Sequence, residues 1–292
     1  RLRSRFDLPS WVSEQMRGID YLFFLRKLVV DIENDWAGVQ HNLEELRSLL
    51  FARSGSYCNV TMSRELFPKL RDKVHILLSK LPSSTGSIQD WVPRYSSRNE
   101  GLIAPVSVNY VGKAANLFQF GYQLDGSSMV ITRYLGTTWL WDKVRVQGGA
   151  YGAFCSFDAF SGVLTFSSYR DPNILSTIEN FDRCADFLRD LKLSEEELTK
   201  AIIGTIGDMD AYQLPDAKGT TSMMRQMIGV DDDYRQKTRD QVFETTINDF
   251  HEFADILSAI VESGLITVLG DKSSIESANS DNNNFLQELK IT

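Results

Sequence analysis

Histidine, cysteine and proline are scarce in this sequence of 292 residues, which contains three, three and seven of them. Cys58, Cys155 and Cys184 are widely spaced. That spacing is neither a disulfide framework nor the paired spacing of a zinc cluster. We therefore expect a reducing compartment rather than a secreted protein.

Long apolar runs and an excess of basic charge are also missing. No stretch approaches the ~18 apolar residues of a membrane-spanning helix, so we expect no membrane contact. Lys and Arg number 31 against 39 Asp and Glu, a net charge of −8. This balance argues against nucleic acid as a partner and is compatible with basic peptides.

The composition that is present is that of a folded protein. Hydrophobic residues make up 42% and charged residues 24% of the chain, enough for one large domain or two ordinary ones. The chain begins at Arg1 rather than Met and shows no signal-like segment. We therefore expect it to be part of a longer protein.

The first third of the chain is predicted to be mostly helical. Apolar residues recur at helical spacing up to Leu50, and Gly55 ends this block. A short strand is predicted over residues 57–62, and a helix from about Ser63 to Leu81. Residues 83–99 are polar and are predicted to form a loop.

The middle of the chain is predicted to be rich in strands. The predicted elements are strands over 106–110 and 117–124, a buried helix from Ser127 or Ser128 to about Arg145, and a hairpin of 151–158 with 163–169.

Helices dominate the remainder. The predicted elements are a helix started by Asp171 and Pro172, one started by the capping box of Ser194 and Glu197, one around Met223, one from about Asp233, one from Thr245 or Thr246 to Ile260, a strand over 265–269 and a polar tail. This order predicts an α+β fold in which an antiparallel sheet packs against helices.

Familiar catalytic motifs are absent. His41 and His251 each lack a second histidine at the spacing that a zinc-binding helix requires, so no metal site is predicted in this chain. Cys155 lies in a predicted strand with no histidine nearby in sequence, which favours a structural role over a nucleophilic one. Residues 204–207 (GTIG) lack the ending of a phosphate-binding loop, and their small residues suggest close helix packing.

One segment combines polar side chains with paired glycines. Between Trp139 and Gly152 the chain passes from a helix to a strand through Gly148 and Gly149, with Arg145 before them and Tyr151 after them. Glycines permit close approach of another backbone, so Arg145 and Tyr151 are candidates for a shared polar site. The alternative is a tight connection in which Arg145 serves as a favourable charge at a helix end.

Three sequence segments carry a family resemblance. LWDKVRVQGGAYGAF, FSSYRDPN and KAIIGTIGDMDAYQLPDAKG occur in this order, beginning at Leu140, Phe166 and Lys200. Together they closely resemble the C-terminal half of presequence proteases, which are pitrilysin-type zinc metalloendopeptidases. The resemblance covers nearly the whole chain.

The resemblance implies an activity and a subcellular location. It implies a C-terminal part of an enzyme that degrades targeting presequences and other short unstructured peptides in a closed chamber, in the mitochondrial matrix or plastid stroma. The zinc would be bound by an N-terminal half absent from this chain, where zinc and a glutamate activate water. This chain alone would then be inactive.

The resemblance also implies residue roles. Arg145 and Tyr151 would act as catalytic donors that stabilise the transition state, and Gly148 and Gly149 would contact the peptide substrate. Residues 1–54 would be the helical end of a preceding domain, and residues 55–292 the last pitrilysin-like domain. The alternative function is a non-catalytic pitrilysin-like scaffold or complex subunit.

Overall fold

The computed structural model describes residues 1–83 and 90–291, which belong to two compact units. The first unit comprises Arg1–Asp20, Pro93–Asp210 and Gln236–Thr292, and the second comprises Tyr21–Val92 and Ala211–Arg235. The predicted boundary near Gly55 falls inside the second unit and stays a prediction. Among the described residues, no helix combines the length and apolar character needed to span a membrane.

The helices and strands alternate irregularly along the chain. The helices are α1 Leu8–Arg17, α2 Ile19–Asn34, α3 Trp36–Leu50, α4 Phe67–Ser79, α5 Ser127–Thr137, α6 Leu175–Asp182, α7 Cys184–Arg189, α8 Glu195–Met209, α9 Pro215–Met227, α10 Asp232–Phe243, α11 Ile247–Ser263 and α12 Lys272–Asp281. The strands are β1 Glu100–Ile103, β2 Tyr110–Asn116, β3 Gly152–Phe157, β4 Val163–Tyr169, β5 Leu265–Gly270 and β6 Gln287–Lys290.

All six strands form one sheet of the first unit, in the order β3-β4-β2-β5-β1-β6. The pairings β3–β4, β4–β2 and β2–β5 are antiparallel, whereas β1 is parallel to both β5 and β6. The α+β class is confirmed, and the sheet is antiparallel on the β3 side and parallel on the β6 side. The parallel part arises because α12 connects β5 to β6, so both strands run in the same direction on either side of β1.

Local sequence signals account for several elements. The hairpin of β3 and β4 is confirmed, and its turn uses Gly162 at a φ of +74°. The capping box of Ser194 and Glu197 is present at the start of α8. A second capping box, of Thr246 and Asp249, begins α11 and confirms the predicted break there.

Two predicted strands are wrong. Residues 57–62 have no regular structure, and the described residues of the second unit offer no strand with which they could pair. Residues 117–120 form a 3₁₀-helix instead of a strand. The Asn116 side chain accepts a hydrogen bond from the backbone N–H of Phe118 (3.0 Å), and Gly121 ends this turn at a φ of +85°.

Other predicted boundaries also need correction. The strand expected at 106–110 begins only at Tyr110. The predicted loop 83–99 lies partly outside the described residues, since residues 84–89 are not among them, and the strand β1 that follows it was not predicted.

The helix predicted to start at Asp171 starts at Leu175. The backbone of Asp171 pairs with Asn109, so this residue still belongs to the sheet. Its carboxylate accepts hydrogen bonds from the backbone of Asn173 (2.9 Å) and the hydroxyl of Thr177 (2.7 Å).

The predicted polar tail instead contains α12 and β6. The buried Asn279 amide donates to the C=O of Leu286 (3.1 Å) and accepts from its N–H (2.9 Å). These two hydrogen bonds join α12 to the residue just before β6. They help to position β6 beside the sheet although this segment contains few apolar residues.

The helices cover the sheet of the first unit and bury a continuous apolar core. Phe166 of β4 stacks on Phe181 of α6, with ring centroids 5.5 Å apart. Lys113 crosses this core from β2 and pairs with Asp182 at 2.5 Å. Its ammonium also donates to the C=O of Val261 at 3.0 Å, which satisfies the buried charge.

Candidate functional site

The helix predicted to run continuously from Ser127 to Arg145 is divided at Thr138. The hydroxyl of Thr138 donates to the C=O of Tyr134 four residues earlier, at 2.6 Å, and the backbone leaves the helical conformation. Such bonds compete with regular helical hydrogen bonding. A π-helical turn, Trp141–Gln147, follows the division.

The π-turn places Arg145 against Trp141. The guanidinium carbon lies 3.8 Å from the centre of the Trp141 ring. Residues four apart lie on the same face of a helical turn, so the two side chains can meet. The stacking restrains a long cationic side chain that is otherwise flexible.

Gly148 and Gly149 end the π-turn. Their N–H groups donate to the C=O groups of Lys143 and Arg145, each at 3.0 Å. A Cβ at Gly148 would lie 2.6 Å from the backbone oxygen of Val144, and Gly149 has a φ of +82°. Both positions therefore require glycine for the chain to turn into β3.

Tyr151 immediately precedes β3. Its N–H donates to the C=O groups of Tyr169 (3.0 Å) and Arg170 (3.3 Å), so its backbone is anchored to the end of β4. Its side chain is 67% exposed and meets the ring of Tyr169 edge to face, with centroids 5.9 Å apart. The hydroxyl of Tyr151 is therefore available to a ligand.

Arg145 and Tyr151 line the same pocket, which has a volume of about 660 Å³. Its walls come from α5, the π-turn, β3 and the end of β4. The lining residues are Thr132, Arg133, Gly136, Thr137, Trp141, Arg145, Tyr151, Gly152, Ala153, Phe154, Cys155 and Tyr169. Gly148 and Gly149 form the connection next to this pocket and are not among the lining residues.

Arg133 is a second arginine in the pocket, and the sequence alone did not single it out. It donates to the carboxylate of Asp208 in α8 at 2.8 Å. Gly204, also in α8, has no side chain, and a Cβ there would clash with the Arg133 guanidinium. The small residues of 204–207 were the available sequence signal, and they permit this packing.

The pocket also contains a cysteine, Cys155. Burial raises the pKa of the Cys155 thiol far above its usual range, and burial does the same for Cys184. Cys155 nevertheless lines the pocket and is half-buried rather than fully buried. A thiol with a raised pKa forms little thiolate at neutral pH, which agrees with the structural role predicted from the sequence.

A zinc site would require ligands that this part of the protein does not assemble. In residues 1–83 and 90–291, no group of three or more His, Cys, Asp or Glu side chains could hold a metal ion. His251 instead contacts the C=O of Leu191 at 3.1 Å through its Nε2 atom. The described residues therefore do not fit a zinc ion.

The sequence is similar to known proteins over nearly its whole length. It is 44% identical over 99% of its length to presequence protease 1, chloroplastic/mitochondrial, of Arabidopsis thaliana. It is 30% identical over 95% of its length to protein HypA of Clostridium perfringens. The chain spans 27% and 28% of these relatives, about a quarter of their length. The predicted organellar localisation agrees with the name of the plant relative.

The fold is similar to that of a solved peptidase. The match to the crystal structure of pitrilysin covers 78% of this chain and 25% of the pitrilysin chain. Its TM-score is 0.51, and the sequence identity is 15%. This likeness concerns the fold alone.

A family model describes most of the first unit. The model for the PreP C-terminal domain matches residues 99–271, which include the sheet from β1 to β5, the π-turn and every lining residue of the pocket. This match and the 44% identity to the plant relative confirm the resemblance seen in the sequence. The chain belongs to the PreP C-terminal domain family, the C-terminal part of presequence proteases.

Proposed function

We propose that this chain supplies the transition-state donors of a zinc metalloendopeptidase that degrades targeting presequences and other short unstructured peptides. The observation that carries the proposal is the shared pocket. A guanidinium held on an indole ring and an exposed phenol hydroxyl line one cavity within the matched family domain.

The chemistry follows from the two donors. Attack of water on a peptide carbonyl places negative charge on the carbonyl oxygen. The Arg145 guanidinium and the Tyr151 hydroxyl donate hydrogen bonds to this oxygen and stabilise the charge as it develops. Trp141 orients Arg145 before the substrate arrives, so little reorganisation accompanies the reaction.

Gly148 and Gly149 bind the peptide next to these donors in this proposal. Neither has a side chain that would keep a substrate backbone away from Tyr151. The C=O of Gly148 accepts a hydrogen bond from the Asn173 amide at 2.6 Å, which fixes the connection in place.

The zinc and the remaining machinery belong to another part of the enzyme, its N-terminal half. The helices of the second unit support the existence of such a partner. No residue of α2 is buried, and Val29, Trp36 and Leu50 are 59%, 54% and 73% exposed. Exposed apolar surface of this extent is typical of a face that another part of the protein covers.

Site-directed variants of the intact enzyme test the proposal. We expect Arg145→Ala to lower kcat about 10²–10³-fold, and Tyr151→Phe about 10²-fold, because each removes one donor to the oxyanion. The zinc content, measured by atomic emission, should equal that of the wild type. Hydrolysis of a synthetic presequence peptide provides the rate.

Matched control variants lie far from the pocket in sequence. Arg235→Ala and Tyr212→Phe alter exposed side chains of the second unit and should leave kcat unchanged. Wild-type turnover in both Arg145→Ala and Tyr151→Phe would contradict the proposal and favour a non-catalytic scaffold. The isolated chain should not hydrolyse peptides until it is combined with the N-terminal half.

A further inference from the structure

Residues 170–173 (RDPN) follow β4 and lie against the glycine connection. They belong to one of the three segments that carry the family resemblance, and the proposed reaction gives them no part. The C=O of Arg170 accepts a hydrogen bond from the N–H of Tyr151 at 3.3 Å, at one end of the connection. The amide of Asn173 donates to the C=O of Gly148 at 2.6 Å, at the other end. The segment therefore holds the connection at both of its ends.

The Asn173 bond satisfies a carbonyl group that the π-turn leaves open. Gly148 directly follows the turn, where C=O groups have no partner farther along the helix. A carbonyl oxygen only accepts hydrogen bonds, so the NH₂ group of the amide must face it. The same nitrogen lies 3.5 Å from a carboxylate oxygen of Asp171, which also only accepts when ionised. Both neighbours therefore require the orientation in which Asn173 donates to Gly148.

Asp171 in turn holds Asn173 in place. Its carboxylate is fully buried and accepts from the backbone N–H of Asn173 (2.9 Å) and the hydroxyl of Thr177 (2.7 Å). Its backbone exchanges two hydrogen bonds with Asn109, at 2.7 and 2.8 Å. Asp171 is thus fixed by the sheet on one side and by α6 on the other. A hydrogen-bonded network of this kind leaves the Asn173 side chain little freedom.

The start of α6 alone does not account for this arrangement. The Asn173 amide contacts Gly148 and Asp171 rather than a group of α6, and Gly148 lies 25 positions earlier in the sequence. Arg170 has a φ of +51°, a left-handed conformation that is unfavourable for a residue with a Cβ. Strained backbone of this kind is concentrated at functional sites. Its C=O is one of the two anchors of the connection.

We propose that Asn173 is a positioning residue that keeps Arg145 and Tyr151 within reach of the same carbonyl oxygen. This inference rests on the proposed function and adds to its site a residue that does not itself line the pocket. The position reaches Arg145 through Gly149, whose N–H donates to the C=O of Arg145 at 3.0 Å. Two donors serve one oxygen only if both are at hydrogen-bond distance, so a shift of about 1 Å in the connection should be costly.

The experiment measures kcat and KM of Asn173→Ala in the intact enzyme with a synthetic presequence peptide. We expect kcat to fall about 10-fold to 10²-fold, with KM changed by less than about twofold, because the two donors act mainly in the transition state. Asn173→Ser should behave in the same way. Its hydroxyl is one bond shorter and does not reach Gly148, but it keeps a polar side chain before α6.

A phosphinic peptide, in which a phosphinate replaces the scissile amide, measures the positioning directly. The phosphinate resembles the tetrahedral transition state, so its Ki should rise by the same factor by which kcat/KM falls. A smaller amount of folded enzyme would lower kcat and leave Ki unchanged. A lower kcat with an unchanged Ki would therefore overturn the proposal. A rise in KM alone would also overturn it, since Asn173 would then act in substrate binding.

Asn180→Ala is the matched control. Asn180 is half-buried like Asn173, and its amide donates within α6, to the C=O of Ser176 at 2.8 Å. The same substitution thus removes one hydrogen bond without touching the connection, and kcat, KM and Ki should equal those of the wild type. Equal losses in Asn180→Ala and Asn173→Ala would refute a specific role of Asn173. Wild-type kcat in both Asn173→Ala and Asn173→Ser would refute it as well.

Double variants separate this inference from the proposed function. In an Arg145→Ala or Tyr151→Phe background, Asn173→Ala should lower kcat by a smaller factor than in the wild type, because one of the donors that it positions is already absent. Fully additive losses in both backgrounds would refute the positioning role alone. Wild-type turnover in both Arg145→Ala and Tyr151→Phe would refute the proposed function, whatever the effect of Asn173→Ala.

Discussion

Arg145 lies over the ring of Trp141, with its guanidinium carbon 3.8 Å from the ring centre. The indole face attracts the cation and leaves the N–H donors at the rim of the guanidinium free for a ligand. A residue that serves only as a charge at a helix end would not require this restraint. The stacking therefore connects the local π-turn with the proposed catalytic role.

Removal of the indole should impair catalysis through Arg145. We expect Trp141→Ala to lower kcat about 10-fold to 10²-fold, since a small displacement of a catalytic group has effects of this size. Trp141→Phe retains an aromatic face and should recover part of the rate. In an Arg145→Ala background, Trp141→Ala should have little further effect. Additive losses in the double variant would assign Trp141 a separate role.

Gly149 should resist substitution because of its backbone conformation. We expect Gly149→Ala to reduce the free energy of unfolding by about 1–2 kcal/mol, the cost of a left-handed conformation for a residue with a Cβ. Urea denaturation followed by circular dichroism measures this change. Gly207→Ala, in an exposed helical position with open surroundings, should stabilise the protein by up to about 1 kcal/mol. A neutral Gly149→Ala would contradict the strain argument.

The three cysteines should differ in reactivity. Cys58 is exposed, whereas burial raises the pKa values of Cys155 and Cys184. Because the thiolate is the reactive form, a disulfide reagent at pH 8 should modify Cys58 rapidly and the other two only after unfolding. Mass spectrometry of the labelled peptides identifies the sites. Rapid modification of Cys155 in the folded protein would show that its thiolate is accessible in the pocket.

The start of α12 should confer a pH dependence on stability. Hydrogen bonds from the side chains and backbone of Ser273 and Ser274 lower the pKa of Asp271 to about 2. A lowered pKa means that the contribution of this carboxylate is present above the unfolded value of about 4 and is lost as the pH falls toward 2. We expect Asp271→Ala to cost about 1 kcal/mol at pH 7 and progressively less between pH 4 and 2.

Asp271→Asn is the matched control for this prediction. An asparagine oxygen still accepts hydrogen bonds at a helix start but does not titrate in this range. The variant should therefore remain capped, and its stability should vary less with pH than that of the wild type. An identical pH profile for Asp271→Asn and the wild type would exclude Asp271 as the titrating group.

Short-range signals made much of the fold predictable. The Ser194–Glu197 capping box and the β3–β4 hairpin depend on neighbouring residues, and both are present. The predictions that failed concern elements that form only if a partner strand distant in sequence lies beside them. Residues 57–62 carry strand-forming side chains without a partner strand, whereas β6 is polar and forms because β1 lies beside it.

The site was predictable only in part from its residues. The glycines between Arg145 and Tyr151 indicated a turn, and the family resemblance supplied their roles. The π-turn that stacks Arg145 on Trp141 has no signature in local propensity, because a single helix was compatible with the same residues. Arg133 was missed because Gly204, which accommodates it, lies 71 positions later in the sequence.

The topology of the sheet also sets an order for its assembly. The strands beside the pocket, β2, β3 and β4, come from a continuous segment between Tyr110 and Tyr169 and can pair soon after synthesis. The opposite half must wait, because β1 has to be joined by β5 and β6 from the end of the described chain. Closing so long a loop is entropically costly and slow. A nascent chain that stops before β5 would therefore carry a formed pocket on an unfinished sheet, with β1 as an unpaired strand available for aggregation.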